Sequence, residues 1–303
     1  MIGEKLIDGD NVEIHKTAKI HKDAVIKGEI IKIGKNVEIE MGFNSICAKK
    51  LVIQDNTRIK GNTRFFCREL EIGEHNFIFS INIEGSMNSI NSRVKIGDQN
   101  LIMQNTRINC NEKVTIGSDV GIGQYVDIWA HGSFMNVLNG YPYICKPVTI
   151  GNHVWLTARS TVLPGVNIGN NIVILNNSVV NRNIPDGSLC GGIPIKIIKK
   201  NYFPIKLSQS DIDKIVNKAI QEYKQLLKLK DFDVAIKYEK NQISFKIKGE
   251  GEEIIFDLNK RKISGIENKY SEDFRDFLRS RGIKIFTDKP FDSIITNDFR
   301  KWL

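Results

Sequence analysis

Aliphatic residues recur every six positions through the first two-thirds of the chain. The recurrence includes Ile14, Ile20 and Ile26, then Ile116, Ile122 and Ile128, and finally Ile150, Leu156, Val162, Ile168, Ile174 and Val180. An amphipathic helix requires spacings of three and four, and a flat strand requires strict alternation. A short strand and a tight turn, repeated, satisfy a period of six. Such coils bury their interiors only by stacking, so the pattern predicts a parallel β-solenoid over about residues 7 to 198, with an ordinary β-sandwich as the alternative.

The residues between the aliphatic positions supply turn chemistry. Ile-Gly pairs at 33–34, 72–73, 96–97, 116–117, 150–151 and 168–169 are interpreted as turns that use positive φ. The period breaks near 84–93 and across 132–147. These two segments are predicted to be loops that leave the coil.

The last third of the chain lacks the six-residue period, which stops around 202–204. A helix is predicted from about 209 to 228, capped by Ser208 or Ser210, and a second from Ser271 to Gly282. Alternating stretches at 234–238, 243–247, 254–258 and 283–286 predict strands. We therefore expect two domains, a β-helix over 1–204 and a small α+β accessory domain over 205–303 without catalytic residues of its own.

Composition and charge narrow the function classes. The net charge of +9 suits anionic partners, and without a basic stripe studded with aromatics it favours phosphorylated ligands over nucleic acid. Five cysteines lie singly, without zinc or redox spacing, which favours a reducing, cytoplasmic location. No secretory leader and no membrane-spanning segment is predicted, although peripheral membrane contact remains open.

Three ordered segments carry a family resemblance: PVTIGNHVWL at 147–156, VLPGVNIGNN at 162–171 and GIPIKII at 192–198. They resemble the hexapeptide-repeat acyltransferases, above all the maltose and galactoside O-acetyltransferases and the acetyltransferases of surface-polysaccharide assembly. The resemblance implies a mainly β fold, a left-handed parallel β-helix followed here by the small α+β domain. It also implies a homotrimer that binds acetyl-CoA as co-substrate between neighbouring helices, with no required metal.

His131 is the candidate catalytic base. Transfer of an acetyl group from a thioester requires the acceptor to lose a proton, and histidine is the usual base near neutral pH. His131 ends a coil immediately before the 132–147 excursion, where the resemblance places the catalytic histidine. The other histidines, at positions 15, 21, 75 and 153, are predicted to be solvated turn residues.

The resemblance assigns further residues to ligands. It places Asn105 at the acceptor hydroxyls and Ala158 and Asn176 at the thioester arm of CoA, with Lys196 and Lys199 near the adenine and 3′-phosphate end. Thr157 and Asn176 replace glycine and a small residue of the family pattern, so a different acyl donor is conceivable.

Other functions stay open at this point. A γ-type carbonic anhydrase needs three converging imidazoles, for which the histidine spacing offers no close pair. A non-catalytic binding or scaffold solenoid would lack a base beside the cleft. Within acyl transfer, the charge and the extra domain favour a carbohydrate or nucleotide-sugar acceptor of the cell envelope. The choice between hydroxyl and amine, and a non-sugar acceptor, remain open.

Overall fold

The computed structural model describes residues 6–248 and 252–300. The chain divides into two compact units, Met1–Ile205 and Lys206–Leu303, each with its own hydrophobic core. Among the described residues, none of the helices combines the length and the hydropathy required to cross a bilayer.

Short strands fill the first unit. Strands β1 to β9 are Ile7–Asp8, Asn11–Ile14, Lys19–Ile20, Val25–Lys27, Ile30–Ile33, Glu38–Ile39, Asn44–Ile53, Arg58–Ile59 and Arg64–Ile72. Strands β10 to β19 are Phe77–Ile78, Asn82–Glu84, Arg93–Ile96, Leu101–Ile102, Arg107–Asn109, Val114–Ile116, Gly121–Ile122, Asp127–Trp129, His131–Gly132 and Ile144–Cys145. Strands β20 to β27 are Val148–Ile150, Val154–Leu156, Thr161–Val162, Asn167–Ile168, Ile172–Ile174, Val179–Val180, Leu189–Gly191 and Lys196–Lys199.

Successive coils stack in register as three parallel ladders. One ladder aligns Ile96, Ile116, Ile150 and Ile168, the next aligns Ile102, Ile122, Leu156 and Ile174, and the third aligns Ile108, Ile128, Val162 and Val180. All of these side chains are buried. The six-residue prediction is therefore confirmed, as is the mainly β fold class with a small α+β end, and the coil is consistent with the left-handed form.

The Ile-Gly pairs have a different role from the one predicted. None of their glycines has positive φ; the left-handed residue comes two positions later, as at Asp119, His153 and Asn171. The glycines are required for close approach between coils, because a Cβ on Gly117 would lie 2.7 Å from the carbonyl oxygen of Gly151. The positive-φ interpretation of these glycines was wrong.

His75 departs from the prediction of a solvated turn. Its side chain is buried, and its Nε2 lies 3.3 Å from Nδ2 of Asn56 on the preceding coil. Asn56 in turn accepts a hydrogen bond from Asn36. The three side chains thus link the turns of successive coils, so His75 has a structural role.

The second unit packs helices on an antiparallel sheet. Helix α1 spans Gln209–Leu227, strands β28 to β31 span Val234–Glu239, Gln242–Ile247, Ile254–Asp257 and Lys262–Ser264, and helices α2 and α3 span Lys269–Ser280 and Asn297–Arg300. Ser208 caps α1 as predicted. The cap of α2 is Asn268, whose side chain accepts from the backbone of Ser271; the predicted start at Ser271 was wrong.

A strand was also predicted at 283–286, and the structure has none there. Ile285 is buried in the core of the second unit all the same. The alternating pattern in this segment therefore reflects packing of side chains and not pairing with a sheet edge.

Candidate active site

Two excursions from the solenoid meet at one corner. Strands β11, β14 and β17 are in register, with Glu84 beside Asn109 and Asn109 beside Trp129. The residues that follow these strands on three successive coils therefore lie at the same corner, and the segments after β11 and β17 leave the coil there. We call this the His131 corner; it comprises residues 85–92, 110–113 and 130–147.

His131 begins a short hairpin at this corner. Strands β18 and β19 pair antiparallel, which places His131 opposite Cys145. The ring of Tyr143 meets the imidazole edge-on, with centroids 5.7 Å apart. The backbone N–H of Lys146 then donates to the carbonyl of Ala130 at 3.0 Å and returns the chain to the coil. The hairpin thus holds His131 half-buried beside an aromatic ring.

A pocket of about 570 Å³ opens in front of His131. Its walls come from all three coils of the corner and consist of Ser86, Asn88, Ser89, Ile90, Asn91, Asn111, Glu112, His131, Tyr143 and Cys145. Hydroxyl and amide groups dominate this lining. Such groups both donate and accept hydrogen bonds, which suits a ligand rich in hydroxyls.

Hydrogen bonds fix the loop of residues 85–92 against the pocket floor. Oδ1 of Asn111 accepts from the backbone N–H of Ser86 at 2.5 Å, and the Ser89 hydroxyl donates to the carbonyl of Asn111. Nδ2 of Asn91 donates to Oε2 of Glu112 at 3.0 Å. The loop of residues 85–92 is therefore an ordered wall of the pocket.

Glu112 is the one acidic side chain of the lining, and neither lysine nor arginine belongs to it. The hydrogen bond with Cys145 raises the pKa of the Tyr143 phenol, and the Glu112 carboxylate adds to the effect.

The tip of the excursion is apolar and exposed. Phe134 is 96% and Leu138 is 90% exposed, and Met135, Val137 and Tyr141 are also accessible. A short 3₁₀ turn at Val137–Asn139 carries the tip, with Asn136 as its cap. The sequence predicted the departure at 132–147 and not the hairpin at its base.

Three of the predicted ligand residues share a second corner. Asn105 has a left-handed backbone with φ of 63° in a column of turns that continues through Ala158 and Asn176 two and three coils later. We call this the Asn105 corner; it comprises residues 103–105, 123–125, 157–159 and 175–177. None of these residues lines the His131 pocket, because one strand of each coil separates the two corners.

Thr157 and Asn176, the two departures from the family pattern, contact each other. The Thr157 hydroxyl donates to the carbonyl of Ile174 at 2.8 Å and approaches Oδ1 of Asn176 at 3.2 Å. The backbone N–H of Asn177 donates to the carbonyl of Ala158. Ala158 and Asn176 are therefore neighbours on adjacent coils, as a shared ligand contact requires.

Lys196 and Lys199 lie at the two ends of β27, which closes the solenoid by pairing antiparallel with β26. Both side chains are exposed. Nζ of Lys199 lies 4.0 Å from the ring centroid of Tyr202. A cation held over an aromatic face remains accessible to a phosphate.

In the described part of the chain, no three His, Cys, Asp or Glu side chains are grouped so that they could hold a metal ion. The five cysteines are all free thiols.

Several pocket residues were missed by sequence reasoning: Asn91, Asn111, Glu112, Tyr143 and Cys145. The available signal was the pair of breaks in the period. Counting coils from the aligned aliphatic residues places both breaks after the same strand position, so a shared corner could have been predicted. The individual contacts could not, because they depend on the fold of two irregular loops.

Comparison with known proteins supports the repeat assignment. Residues 147–182 match the family model described as the hexapeptide repeat of succinyl-transferase. The chain is 43% identical over 107 residues to WbbJ of Escherichia coli, which carries the name of a lipopolysaccharide biosynthesis O-acetyl transferase; the match covers 32% of this chain and 55% of WbbJ. It is 34% identical over 115 residues to the galactoside O-acetyltransferase of Escherichia coli, covering 37% and 56%.

A solved hexapeptide-repeat acetyltransferase of Vibrio cholerae, complexed with acetyl-CoA, is 27% identical with a TM-score of 0.38 over 43% of this chain and 69% of that one. The chain thus spans between 55% and 56% of the length of the two curated relatives. Residues 147–182 of the solenoid therefore carry the hexapeptide repeat, in agreement with the sequence resemblance.

Proposed function

We propose that the chain is an acetyltransferase that moves the acetyl group of acetyl-CoA to a hydroxyl of a carbohydrate, with His131 as the base. The observation that carries this proposal is the position of His131. It lies half-buried in the wall of a pocket of about 570 Å³ whose other walls are mostly hydroxyl and amide groups.

The proposed reaction has one acid–base residue. An imidazole nitrogen of His131 accepts the proton of the acceptor hydroxyl while the oxygen attacks the thioester carbonyl. The C–S bond breaks as the C–O bond forms, and the imidazolium returns the proton to the departing CoA sulfur. A positioned base of this kind contributes about 10²–10⁴ to the rate.

The donor is proposed to bind at the Asn105 corner, with Ala158 and Asn176 at its thioester arm and Lys196 and Lys199 toward its phosphates. Because His131 lies on a different corner of the same chain, the two half-sites meet only if another copy supplies one of them. This supports a homotrimer with three equal sites, since cyclic symmetry repeats one heterologous contact.

Carbohydrate is the proposed acceptor class for two reasons. The pocket offers amides and hydroxyls for sugar hydroxyls and the Tyr143 ring as an apolar contact. The names of the two curated relatives refer to a galactoside and to lipopolysaccharide. We therefore propose O-acetylation in the biosynthesis of a surface polysaccharide, carried out in the cytoplasm, where free thiols persist. Asn105 is proposed to contact the acceptor of the neighbouring copy.

The test is release of CoA from acetyl-CoA in the presence of simple sugars, glycosides and nucleotide sugars, for the wild type and His131→Asn. We expect turnover to fall by about 10²–10⁴ while CoA binding is retained. The matched control is His153→Asn. His153 is an exposed turn histidine with φ of 55°, a conformation that Asn tolerates.

Equal activity of the two variants would exclude His131 as the base. Absence of CoA binding to the wild type would favour a non-catalytic solenoid.

A further inference from the structure

The strongest feature that the proposed reaction leaves unused is the carboxylate of Glu112. It lies in the His131 pocket and takes no part in the proton transfer described above. Its two oxygens are both held: Oε2 accepts from Nδ2 of Asn91 at 3.0 Å and Oε1 accepts from the backbone N–H of Lys113 at 3.0 Å. The carboxylate is therefore oriented by the pocket wall.

From this arrangement we infer that Glu112, oriented by Asn91, selects the acceptor by charge and excludes sugars that carry a carboxylate or phosphate on the unit that enters the pocket. The inference rests on the proposed function and names a narrower substrate class for the same pocket, namely an uncharged glycosyl unit.

The electrostatic balance of the pocket supports this selection. Lys113 and Lys146 each follow a lining residue in the sequence, yet neither lines the pocket, and both are exposed. His131 must be neutral to act as a base. An anionic acceptor would thus meet the negative charge of Glu112 in a lining that contains neither lysine nor arginine, and like charges placed together in a recognition site disfavour the wrong partner.

The hydrogen bonds to the Glu112 carboxylate make the selection by charge effective, because they hold the charge in place. A free surface carboxylate would swing toward solvent and be screened within a Debye length of about 8–10 Å. Asn91 belongs to the loop of residues 85–92, which is also tied down through Asn111. The loop therefore keeps the negative charge in the lining of the pocket, where a bound sugar would meet it.

The test compares acceptors that share one ring: methyl glucoside, glucuronate and glucose 6-phosphate. We expect the wild type to acetylate the neutral glycoside with a kcat/KM about tenfold or more above either anion. In Glu112→Gln the ratio should approach unity, mainly through a lower KM for the anions. Raising the ionic strength should reduce the discrimination of the wild type.

A matched control removes one negative charge outside the pocket. Glu84→Gln lies on the same edge of the solenoid, and Glu84 is exposed and absent from the lining, so the acceptor ratio should stay as in the wild type. Asn91→Ala should give a ratio between those of the wild type and Glu112→Gln. A wild type that prefers glucuronate, or a preference that persists in Glu112→Gln, overturns the inference and leaves the proposed acetylation intact.

If none of the three sugars is acetylated, their binding to the same variants is measured instead, by line broadening of the sugar resonances in NMR. Weaker binding of the anions that is restored in Glu112→Gln supports charge selection independently of turnover. Equal binding of all three by the wild type overturns it.

Discussion

The rings of His131 and Tyr143 meet edge to face across the β18–β19 hairpin, with centroids 5.7 Å apart. The two residues lie close to each other because Tyr143 is two positions before Cys145, which pairs directly with His131. An edge-on aromatic neighbour restricts rotation of the imidazole without consuming either of its nitrogens. In the proposed mechanism, Tyr143 is thus a positioning residue for the base.

Removal of the Tyr143 ring is expected to impair turnover. An edge-to-face contact contributes about 0.5–1.5 kcal/mol, so Tyr143→Ala should lower kcat by about 2- to 13-fold. Tyr143→Phe keeps the ring and should retain kcat within about twofold, although it loses the hydroxyl contact with Cys145. Steady-state rates of CoA release measure both variants. A Phe variant as impaired as the Ala variant would assign the effect to the hydroxyl.

The separation of the two corners predicts complementation between copies. Ala158→Trp should block donor binding at the Asn105 corner, and His131→Asn should remove the base, so each variant alone is inactive. In trimers mixed at random after co-expression, a site that takes one half from each of two copies is intact with probability about one quarter. Recovery of about a quarter of wild-type activity is the expected result. Sites confined to one chain would show no recovery.

The inward positions of the solenoid could be predicted from the sequence, whereas the contacts at its corners could not. Inward positions such as Ile150 and Leu156 repeat because each coil presents the same two contacts to the next, which is a local constraint repeated along the chain. The pocket depends on Asn91 and Glu112, which are 21 positions apart. Their contact is set by loop closure across coils, and no local pattern encodes it.

The glycines and caps illustrate the same limit at smaller scale. Gly117 was correctly found at a turn, but its requirement comes from the neighbouring backbone at Gly151 and not from its own φ. Ser271 has the features of a helix cap, yet it occupies the N3 position of a capping box opened by Asn268. In both cases the residue type was informative, while its partner was set by tertiary structure.

A buried ion pair in the second unit should be essential for its stability. Nζ of Lys230 lies 2.6 Å from Oδ1 of Asp273, with side chains only 3% and 1% exposed, and Asp273 also accepts from the hydroxyl of Tyr223 at 2.7 Å and from the backbone N–H of Ile294. Removal of one partner leaves a buried charge without compensation. We expect Lys230→Met to lower the free energy of unfolding by about 3–5 kcal/mol.

Urea unfolding of the full chain, followed by circular dichroism, measures this effect. Lys248→Met is the matched control, because Lys248 pairs with Asp233 at the surface, where the two side chains are 65% and 61% exposed. An exposed pair contributes about 0–1 kcal/mol. Equal losses in the two variants would show that burial does not govern the strength of these pairs.

The contact between Asp213 and Tyr238 predicts that the stability of the second unit depends on pH in both the acid and the alkaline range. The Tyr238 hydroxyl and Nε2 of Gln209 donate to Oδ1 of Asp213 at 2.7 and 2.8 Å and hold the pKa of this carboxyl below its usual value. Burial and the same hydrogen bond raise the pKa of Tyr238 to about 12. Each shift favours the pair of a carboxylate with a neutral phenol.

The two shifts have opposite signs in their effect on stability. Because the pKa of Asp213 is lower in the folded chain, its contribution is present above the unfolded value of about 3.9 and is lost as the pH falls through the folded value. Because the pKa of Tyr238 is higher in the folded chain, its contribution is present below about 10 and is lost as the pH rises toward about 12. In Asp213→Asn, the urea midpoint should change less with pH in the acid range than it does in the wild type. The tyrosinate absorbance of Tyr238 should also appear at a lower pH. An unchanged pH dependence in the acid range would contradict the role of Asp213, and Tyr238→Phe identifies the absorbance that belongs to this tyrosine.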